Sequence, residues 1–600
     1  MPEYVAPVAD MRFVLDELTG LPGLASRLPA FEPASSDVVD SILQEAARFA
    51  HEVLSPLNRS GDREGARLEG GQVKAARGFG EAYRQFASGG WVGLSGNPDS
   101  GGQGLPHLLA SAPTEMWSGA NSAFGNCPEL STGVIAALEA HATPGLRGQY
   151  LPRILSGEWT GTMCLTEPQA GSDLAAVTAR AVPEGDHWRI SGRKIFITWG
   201  DHDMSDNIVH MVLARAPDAP AGIKGISLFL VPKFLPDANG VPGARNDLHT
   251  VSIEHKLGLH ASPTCVLAFG DAEGATGYLV GRLHDGMGCM FTMMNYMRLS
   301  VGLQGVGIAD RAYQQAVAYA RERVQGRSVD GKARVPIIRH ADVRRMLLTM
   351  RALVEASRAV AYVTAMHIDL SHHHPDPAER RRHHARVELL TPLVKAWSTE
   401  IAQECAATGV QVHGGMGFIE ETGAAQHIRD ARITTIYEGT NGIQALDLVG
   451  RKVLRDGGDA LRGLLKEIEG TVGALAADGE LAADGELSAM RTSLGQALAA
   501  MREAADHVIG GSAKDPQLPG AVAFDFLMAL SIVTGGWQMA RAAHAARQRL
   551  EQGVGNAPFL RAKVSTARFF SERILPRAHA HVAAVRAGSG SVTEMAEDQF

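Results

Sequence analysis

Positive charge is in short supply in this chain. The formal net charge of −8 leaves no basic excess to neutralise a phosphate backbone, which argues against nucleic acid as the main partner. Cysteine is also sparse. Cys127, Cys164, Cys265, Cys289 and Cys405 are five in number, widely scattered and without a CxxC pair. An odd, dispersed set builds neither a disulfide framework nor a zinc site, so we expect reduced thiols, no metal and a cytoplasmic protein. No uninterrupted apolar run reaches the ~20 residues of a spanning helix, so no integral membrane segment is expected. Met1-Pro2-Glu3-Tyr4-Val5 has no basic stretch leading into an apolar one, so no signal peptide is expected either. Aromatics are few, at 6%.

What remains is a soluble, globular composition, with 45% hydrophobic and 20% charged residues. At 600 residues the chain is too long for one core and should form several packed units. Residues 1–158 read as mostly helical. Val38 to Phe49 has helical spacing, with Ser35 and Ser36 placed to cap it, and the Gly-rich run Gly96 to Gly104 reads as a loop. Residues 159–283 change character. Trp188 to Thr198 reads as two strands around Ser191-Gly192, followed by Ile208–Ala214, Ile226–Val231, Val251–His255 and Cys265–Phe269. Short strands at this spacing predict a small barrel or sandwich. The helical period returns over 284–450 and continues in an additional helical block, 451–600. The expected fold is multidomain and mainly α with a central β unit. Two interruptions stand out, Ser371 to Pro377 and the tandem Ala477 to Ser488, which read as polar connectors. The histidines His372-His373-His374 and His383-His384 read as part of a charged, solvated connector.

Three segments carry chemistry. Cys164-Leu165-Thr166-Glu167-Pro168-Gln169-Ala170-Gly171-Ser172-Asp173 comes first. Lys194-Ile195-Phe196-Ile197-Thr198 follows. Arg429-Asp430-Ala431-Arg432-Ile433 then runs into Tyr437-Glu438-Gly439-Thr440-Asn441-Gly442-Ile443-Gln444. Together, in this order and spacing, they resemble the acyl-CoA dehydrogenase superfamily over roughly residues 40–450. The N-terminal extension and the extra C-terminal block resemble its ~600-residue bacterial branch, which includes 3-methylmercaptopropionyl-CoA and broad-range fatty acyl-CoA dehydrogenases. The fold implied is an α N-terminal unit, a β-barrel middle and a four-helix bundle, plus the additional helical domain. The cofactor implied is FAD.

The resemblance fits the chemistry such an enzyme must perform. Removing the weakly acidic α-proton of a thioester takes a base in contact with it, plus support for the enolate that forms. The β-hydrogen leaves as hydride, which a cofactor must accept. Glu438 is the implied base, Gly439 beside it allows close approach of the substrate, and the helix that begins at Thr440 can support negative charge. Some relatives carry the base before an Arg on an earlier helix. Here that place holds Met297, which takes no proton, and this favours Glu438.

Other positions follow by matching motif to motif. Met163, Leu165, Thr166, Phe196 and Thr198 should surround the flavin ring, with Thr440 beside them. Ser172 should touch the pantetheine, and Arg298 the thioester end. Met294 belongs to a Met cluster that could wall the acyl pocket. Arg323 matches an Arg that reaches the FAD pyrophosphate of a neighbouring subunit. Gln411 and Gly415 match the loop holding the adenosine part across a dimer. Gln325-Gly326 departs from the usual aromatic-Gly after that Arg, and Gly442 stands where many relatives have Gln.

Residues 451–600 balance seventeen Lys/Arg against seventeen Asp/Glu, which argues against a DNA-binding tail. Phe526 to Val533 is patterned for packing. By resemblance, this block covers the surface that would join two dimers, so a homodimer is expected. The implied partners are an acyl-CoA and electron-transfer flavoprotein. An acyl-CoA oxidase and a non-catalytic flavoprotein are the competing readings. The intact Glu438 and the balanced C-terminal block weigh against the latter.

Overall fold

The computed structural model describes residues 3–237, 239–477 and 485–600. Most of the tandem Ala477 to Ser488 lies outside the described residues. The first unit is helical. Ser36–Phe49 buries Val39, Leu43, Ala46 and Phe49, the i, i+4, i+7, i+10 stripe of an amphipathic helix. Ser35 occupies the position before it but makes no side-chain cap. His107–His141 is two helices joined at Asn121, whose backbone is extended. There the Asn121 Oδ1 accepts the Phe124 N–H at 3.1 Å and restarts the helix as a cap.

The middle unit is one eight-stranded sheet. Its strands are β1 (Trp159–Cys164), β2 (Arg180–Glu184), β3 (His187–Thr198), β4 (Asn207–Arg215), β5 (Ile226–Pro232), β6 (Leu248–Ile253), β7 (Thr264–Phe269) and β8 (Ala275–Val280). Their order is β6-β7-β3-β8-β5-β4-β1, with β2 against β3 and β4. β1 and β4 run parallel, and the β4–β5 pair is antiparallel. The segment expected to be two strands is the single long strand β3. Gly192 lies within it at φ 141°, a backbone conformation that side chains rarely adopt. On one side of Gly192 the strand pairs with β2 and β8, and on the other with β7. The sheet therefore folds across β3 and the two halves face each other. His210 meets Phe269 edge-on at 5.9 Å, and Val212, Phe229, Leu248 and Leu267 share one core. The strand expected at Val251–His255 is observed at Leu248–Ile253, with a bulge between Thr250 and Ser252.

Three long helices, Gly286–Glu322, Ala341–His373 and Pro377–His413, form the bundle. Glycines let them approach closely. A side chain at Gly305 would come within 2.6 Å of the Ser398 carbonyl, and one at Gly307 within 2.7 Å of the Glu115 carbonyl. The histidines expected in a solvated connector sit instead at the end of one bundle helix (His372, His373) and within the next (His383, His384). His367 and His383 meet at 2.8 Å.

The final block contains the helices Asp459–Ala477, Gly485–Gly511, Leu518–Glu551, Ala557–Phe569 and Arg577–Ala587. Leu518–Glu551 is long and apolar enough to cross a membrane by composition, with a mean hydropathy of 1.7 over its best window. Its apolar surface is spent on protein, since Phe526, Leu527, Leu530 and Val533 are buried and Gly535 lies against the Trp397 ring of the bundle.

A buried ion cluster joins these units. Arg358 of the bundle pairs with Glu115 and with Asp10, each at 2.6 Å. Lys563 of the final block reaches Asp10 at 2.6 Å and Glu355 at 2.8 Å. Burial would raise the Asp10 pKa, but Lys563 and Arg358 outweigh it and hold it at about 2. Its contribution to stability is therefore present above its ordinary value of 3.8 and lost as pH falls towards 2. Removing one member strands the others. Lys563→Ala should cost about 3–5 kcal/mol in urea unfolding at neutral pH, and a loss below about 1 kcal/mol would show the cluster to be dispensable.

Candidate active site

Tyr437-Glu438-Gly439 spans the gap between the helix Ala424–Arg432, with its following turn, and the helix Asn441–Leu446. Glu438 and Gly439 are both left-handed, at φ 57° and 86°, so the chain reverses sharply here. The conformation costs a non-glycine residue about 1–3 kcal/mol, and its neighbours hold it. Buried Gln444 donates from Nε2 to the Glu438 carbonyl at 3.2 Å and to the Gly439 carbonyl at 3.4 Å. A side chain at Gly439 would sit 2.6 Å from that Nε2. Thr440 caps the next helix, its Oγ1 accepting the Ile443 N–H at 3.2 Å.

The Glu438 carboxyl is half-buried, and its Oε2 is sealed from solvent without a hydrogen-bond partner among the described residues. Burial pushes its pKa up to about 7, against the opposing pull of Arg298 and Lys395. Arg298 is buried, lies 3.5 Å from Asp447 and leaves its Nε unpartnered. Burial lowers its pKa while Asp447 and Glu438 oppose the shift. Lys395 is fully buried and donates to Asn441 Oδ1 at 2.9 Å. Burial brings its ammonium down to about 7, with Glu438 pulling the other way. Met297 is buried and Met294 partly so, both in the core next to this region.

A cavity of about 330 Å³ opens beside this turn. It is lined by Asn126, Phe196, Thr198, Leu257, Ile436 and Tyr437, among others. Phe196 is 60% exposed and left-handed at φ 58°, an apolar ring left uncovered on the cavity wall. Behind the wall, Tyr437 donates to Gln304 Oε1, and Gln304 donates to Asn126 Oδ1. Leu259, also on the cavity, has its N–H held by Asp430 at 2.6 Å. Arg429 binds Asp62 through both nitrogens, at 3.0 and 2.6 Å. The Arg429–Ile433 motif thus ties the first unit and the sheet to the Glu438 turn.

The Thr166-to-Asp173 motif forms the adjacent edge. Lys194, fully buried, donates to the Leu165 carbonyl at 2.9 Å and pairs with Glu167 at 2.8 Å. Glu167 also accepts the Thr178 and Ala179 N–H groups. Burial would raise this carboxyl, but Lys194 and these donors bring it to about 2. Both charged motif residues are consumed in folding the turn. Thr166 and Met163 are half-buried beside it, and Ser172 is exposed at its tip.

Arg323, Gln411 and Gly415 do not join the cavity. All three are exposed on the bundle surface. Gln411 accepts the Gly414 N–H through its carbonyl, and Phe418 nearby is 86% exposed. Three buried groups at the site went unforeseen in the sequence: Lys395, Gln304 and Glu129. The last is a carboxyl that burial pushes up to about 8. The only signal they gave was a polar residue set in an apolar helical stretch, as in Leu393-Val394-Lys395-Ala396-Trp397.

Models of the acyl-CoA dehydrogenase N-terminal, middle and C-terminal domains match residues 36–158, 162–272 and 284–454, and an acetyl-CoA dehydrogenase C-terminal-like model matches 464–596. The chain belongs to the acyl-CoA dehydrogenase family. It is 48% identical to 3-methylmercaptopropionyl-CoA dehydrogenase of Ruegeria pomeroyi, over 95% of this chain and 96% of that one. It is 34% identical to butyryl-CoA dehydrogenase of Syntrophomonas wolfei, over 100% and 99%. Its fold is similar to that of a Bacillus anthracis acyl-CoA dehydrogenase complexed with FAD, at TM-score 0.71 and 21% identity, covering 92% and 88%. As a family member the chain is an oxidoreductase acting on acyl-CoA, and the extra C-terminal domain is shared with its full-length relatives.

Lys395 tunes Glu438 by charge. Lys395→Met should raise the pKa of Glu438, since a nearby cation favours the carboxylate. The acid limb of the pH profile for acyl-CoA oxidation, expected near 7, should move upward. An unmoved limb would separate the two groups.

Proposed function

We propose that this enzyme removes the α-proton of an acyl-CoA thioester with Glu438 and yields the trans-2-enoyl-CoA. The observation that carries this reading is the sealed, unpartnered Oε2 of Glu438, on a carboxyl raised to about 7, one residue from the Tyr437 wall of the cavity. A base is useful when its pKa lies near the working pH and one oxygen is free for the incoming proton. Arg298 and Lys395 keep enough of the carboxyl ionised to act. The Glu438 N–H has no hydrogen-bond partner among the described residues, which leaves it free to polarise a thioester carbonyl.

The residues fit FAD. Exposed Phe196, with Thr198 and Ile436, offers an apolar wall for a flat ring. Thr166, Met163 and Leu165 stand at its edge, and Ser172 lies outward where a pantetheine would pass. When bound there, FAD supplies the acceptor for the β-hydride. Thr440 is spent on its helix cap, so its contribution to cofactor binding is made by placing the Glu438 turn. Met294 and Gly439 border the acyl path.

Arg323, Gln411 and Gly415 stand exposed and apart from this cavity. That placement suits contact with the cofactor of a second subunit, and supports a homodimer in which Phe418 is covered. The enzyme is placed in the cytoplasm, with electrons passing to electron-transfer flavoprotein. The limits 158/159, 283/284 and 450/451 divide its domains.

Glu438→Gln should keep its flavin and bind acyl-CoA, yet lose anaerobic flavin bleaching by about a thousandfold or more. Bleaching at near-normal rate would sink the assignment. Arg323→Ala should lower flavin content in the purified protein more than it slows bleaching of the flavin retained. Unchanged flavin content would remove Arg323 from the cofactor site.

A further inference from the structure

Two cavities away from the Phe196 wall share a partition. The inner one holds only about 60 Å³ and is lined by Trp91, Trp117, Glu129, Ser300, Leu303 and Tyr296. The outer one is a cleft of about 860 Å³ bordered by Phe31, Asn97, Asn295, Asp369, His373 and, again, Tyr296. Ser95, His107, Tyr296 and Ile368 line both.

The inner chamber lies on the substrate side of the bundle. Ser300 and Leu303 follow Arg298 on the same helix, and Glu129 lies one turn from Asn126 of the cavity wall. Glu129 and Glu438 both act on the Tyr437 hydroxyl to raise its pKa, which places all three within electrostatic reach. The chamber's lining is only partly apolar. Ser300 is buried and lowers the Glu129 pKa by a side-chain hydrogen bond, and Glu129 also accepts from Ser118 at 3.2 Å.

The partition is built, and its parts are fixed in place. The Tyr296 hydroxyl is hydrogen-bonded to the His107 ring, the two rings standing edge-on at 4.7 Å. The His107 and Leu108 N–H groups are in turn held by Asp369, each at 2.9 Å. With a water needing about 10–15 Å³ of such space, the chamber of about 60 Å³ admits only about four to six atoms of that size. Chain beyond that would have to pass the Tyr296–His107 pair into the cleft.

We propose that Tyr296 and His107 form the end wall of the acyl pocket and restrict this enzyme to short acyl groups, the cleft behind them being the room that a longer chain would need. The proposal rests on the Glu438 reading, which fixes where the thioester lies. Tyr296 and His107 are thus specificity-determining residues, and they leave the chemistry at Cα and Cβ to Glu438.

The test is kcat/KM for flavin reduction across straight-chain acyl-CoAs from four to sixteen carbons. The wild type should fall by about tenfold or more between four and twelve carbons, because a filled pocket rejects added methylenes. Tyr296→Ala should raise the twelve-to-four ratio by about tenfold or more, and Tyr296→Phe, which keeps the ring, should retain the wild-type ratio. If Tyr296→Ala loses its fold by circular dichroism, His107→Ala should raise the ratio in the same direction. A wild type indifferent to length, or truncations that leave the ratio unmoved, would overturn the wall while leaving Glu438 as the base. A folded wild type bleached by no acyl-CoA of any length would overturn both readings.

Discussion

The Arg358 guanidinium is the point on which the active-site architecture turns. It sits in the middle bundle helix, almost fully buried, and grips Glu115 of the first unit and Asp10 of the N-terminal extension. Tyr362 donates to the same Glu115 at 2.9 Å, and Asp310 of the adjoining helix lies 3.8 Å away. Buried ion pairs are weak sources of net stability, since desolvation cancels most of their attraction. They penalise wrong arrangements heavily, because a slipped register leaves a charge uncompensated in the core. The helix bearing Glu115 leads across the Asn121 break into the one bearing Asn126 and Glu129, and the helix bearing Asp310 also bears Arg298 and Gln304. Fixing the two helices against each other fixes both sides of the substrate path at once. Lys563 extends the same constraint to the final block, so that block is part of the enzyme's core and not an appended module.

A second constraint is local strain. Among the described residues six non-glycine residues have positive φ; Phe196 and Leu259 line one cavity, and Trp199 and Glu438 directly follow its lining residues Thr198 and Tyr437. Each costs about 1–3 kcal/mol unless its surroundings enforce it. The enforcing contacts are visible: Gln444 under Glu438, Asp430 on the Leu259 N–H, and the Trp199 indole N–H donating to the Ala123 carbonyl at 3.0 Å. Strain of this kind aims a side chain where a relaxed backbone would not. At Phe196 it turns a large ring outward onto the cavity wall, and at Glu438 it brings the carboxylate beside Arg298.

The parts of this arrangement legible in the sequence were those carried by local motifs. Helical and strand periods located the three kinds of unit, and the family resemblance singled out Tyr437-Glu438-Gly439, the turn that carries the proposed base. Within the motifs, Glu167 and Lys194 form a buried pair that folds the turn. Strand β3 was divided in two because Ser-Gly reads as a turn, whereas Gly192 serves as a fold point within a continuous strand. Lys395, Gln304 and Glu129 left no comparable trace. Their roles arise from contacts across the bundle, between residues far apart in sequence, and no period within one helix reports which neighbour a buried polar group will meet. The Tyr296–His107 partition is of the same kind, joining positions 189 residues apart.

Glu438 and Lys395 show why such unforeseen groups matter. Burial pushes both towards 7 from opposite directions, the acid up and the ammonium down. Each acts on the other, since Lys395 lowers the Glu438 pKa and Glu438 raises that of Lys395. On the proposed reading, a thioester bound beside Glu438 would remove more water and raise the carboxylate's proton affinity further. Lys395 and Arg298 would oppose that rise. The balance needs cations near the base but bonded to other groups. Lys395 donates to Asn441 and Arg298 lies against Asp447, so Glu438 keeps one oxygen unpartnered. Direct pairing with either cation would have produced an ordinary buried salt bridge, with a carboxylate too acidic to take a proton from carbon.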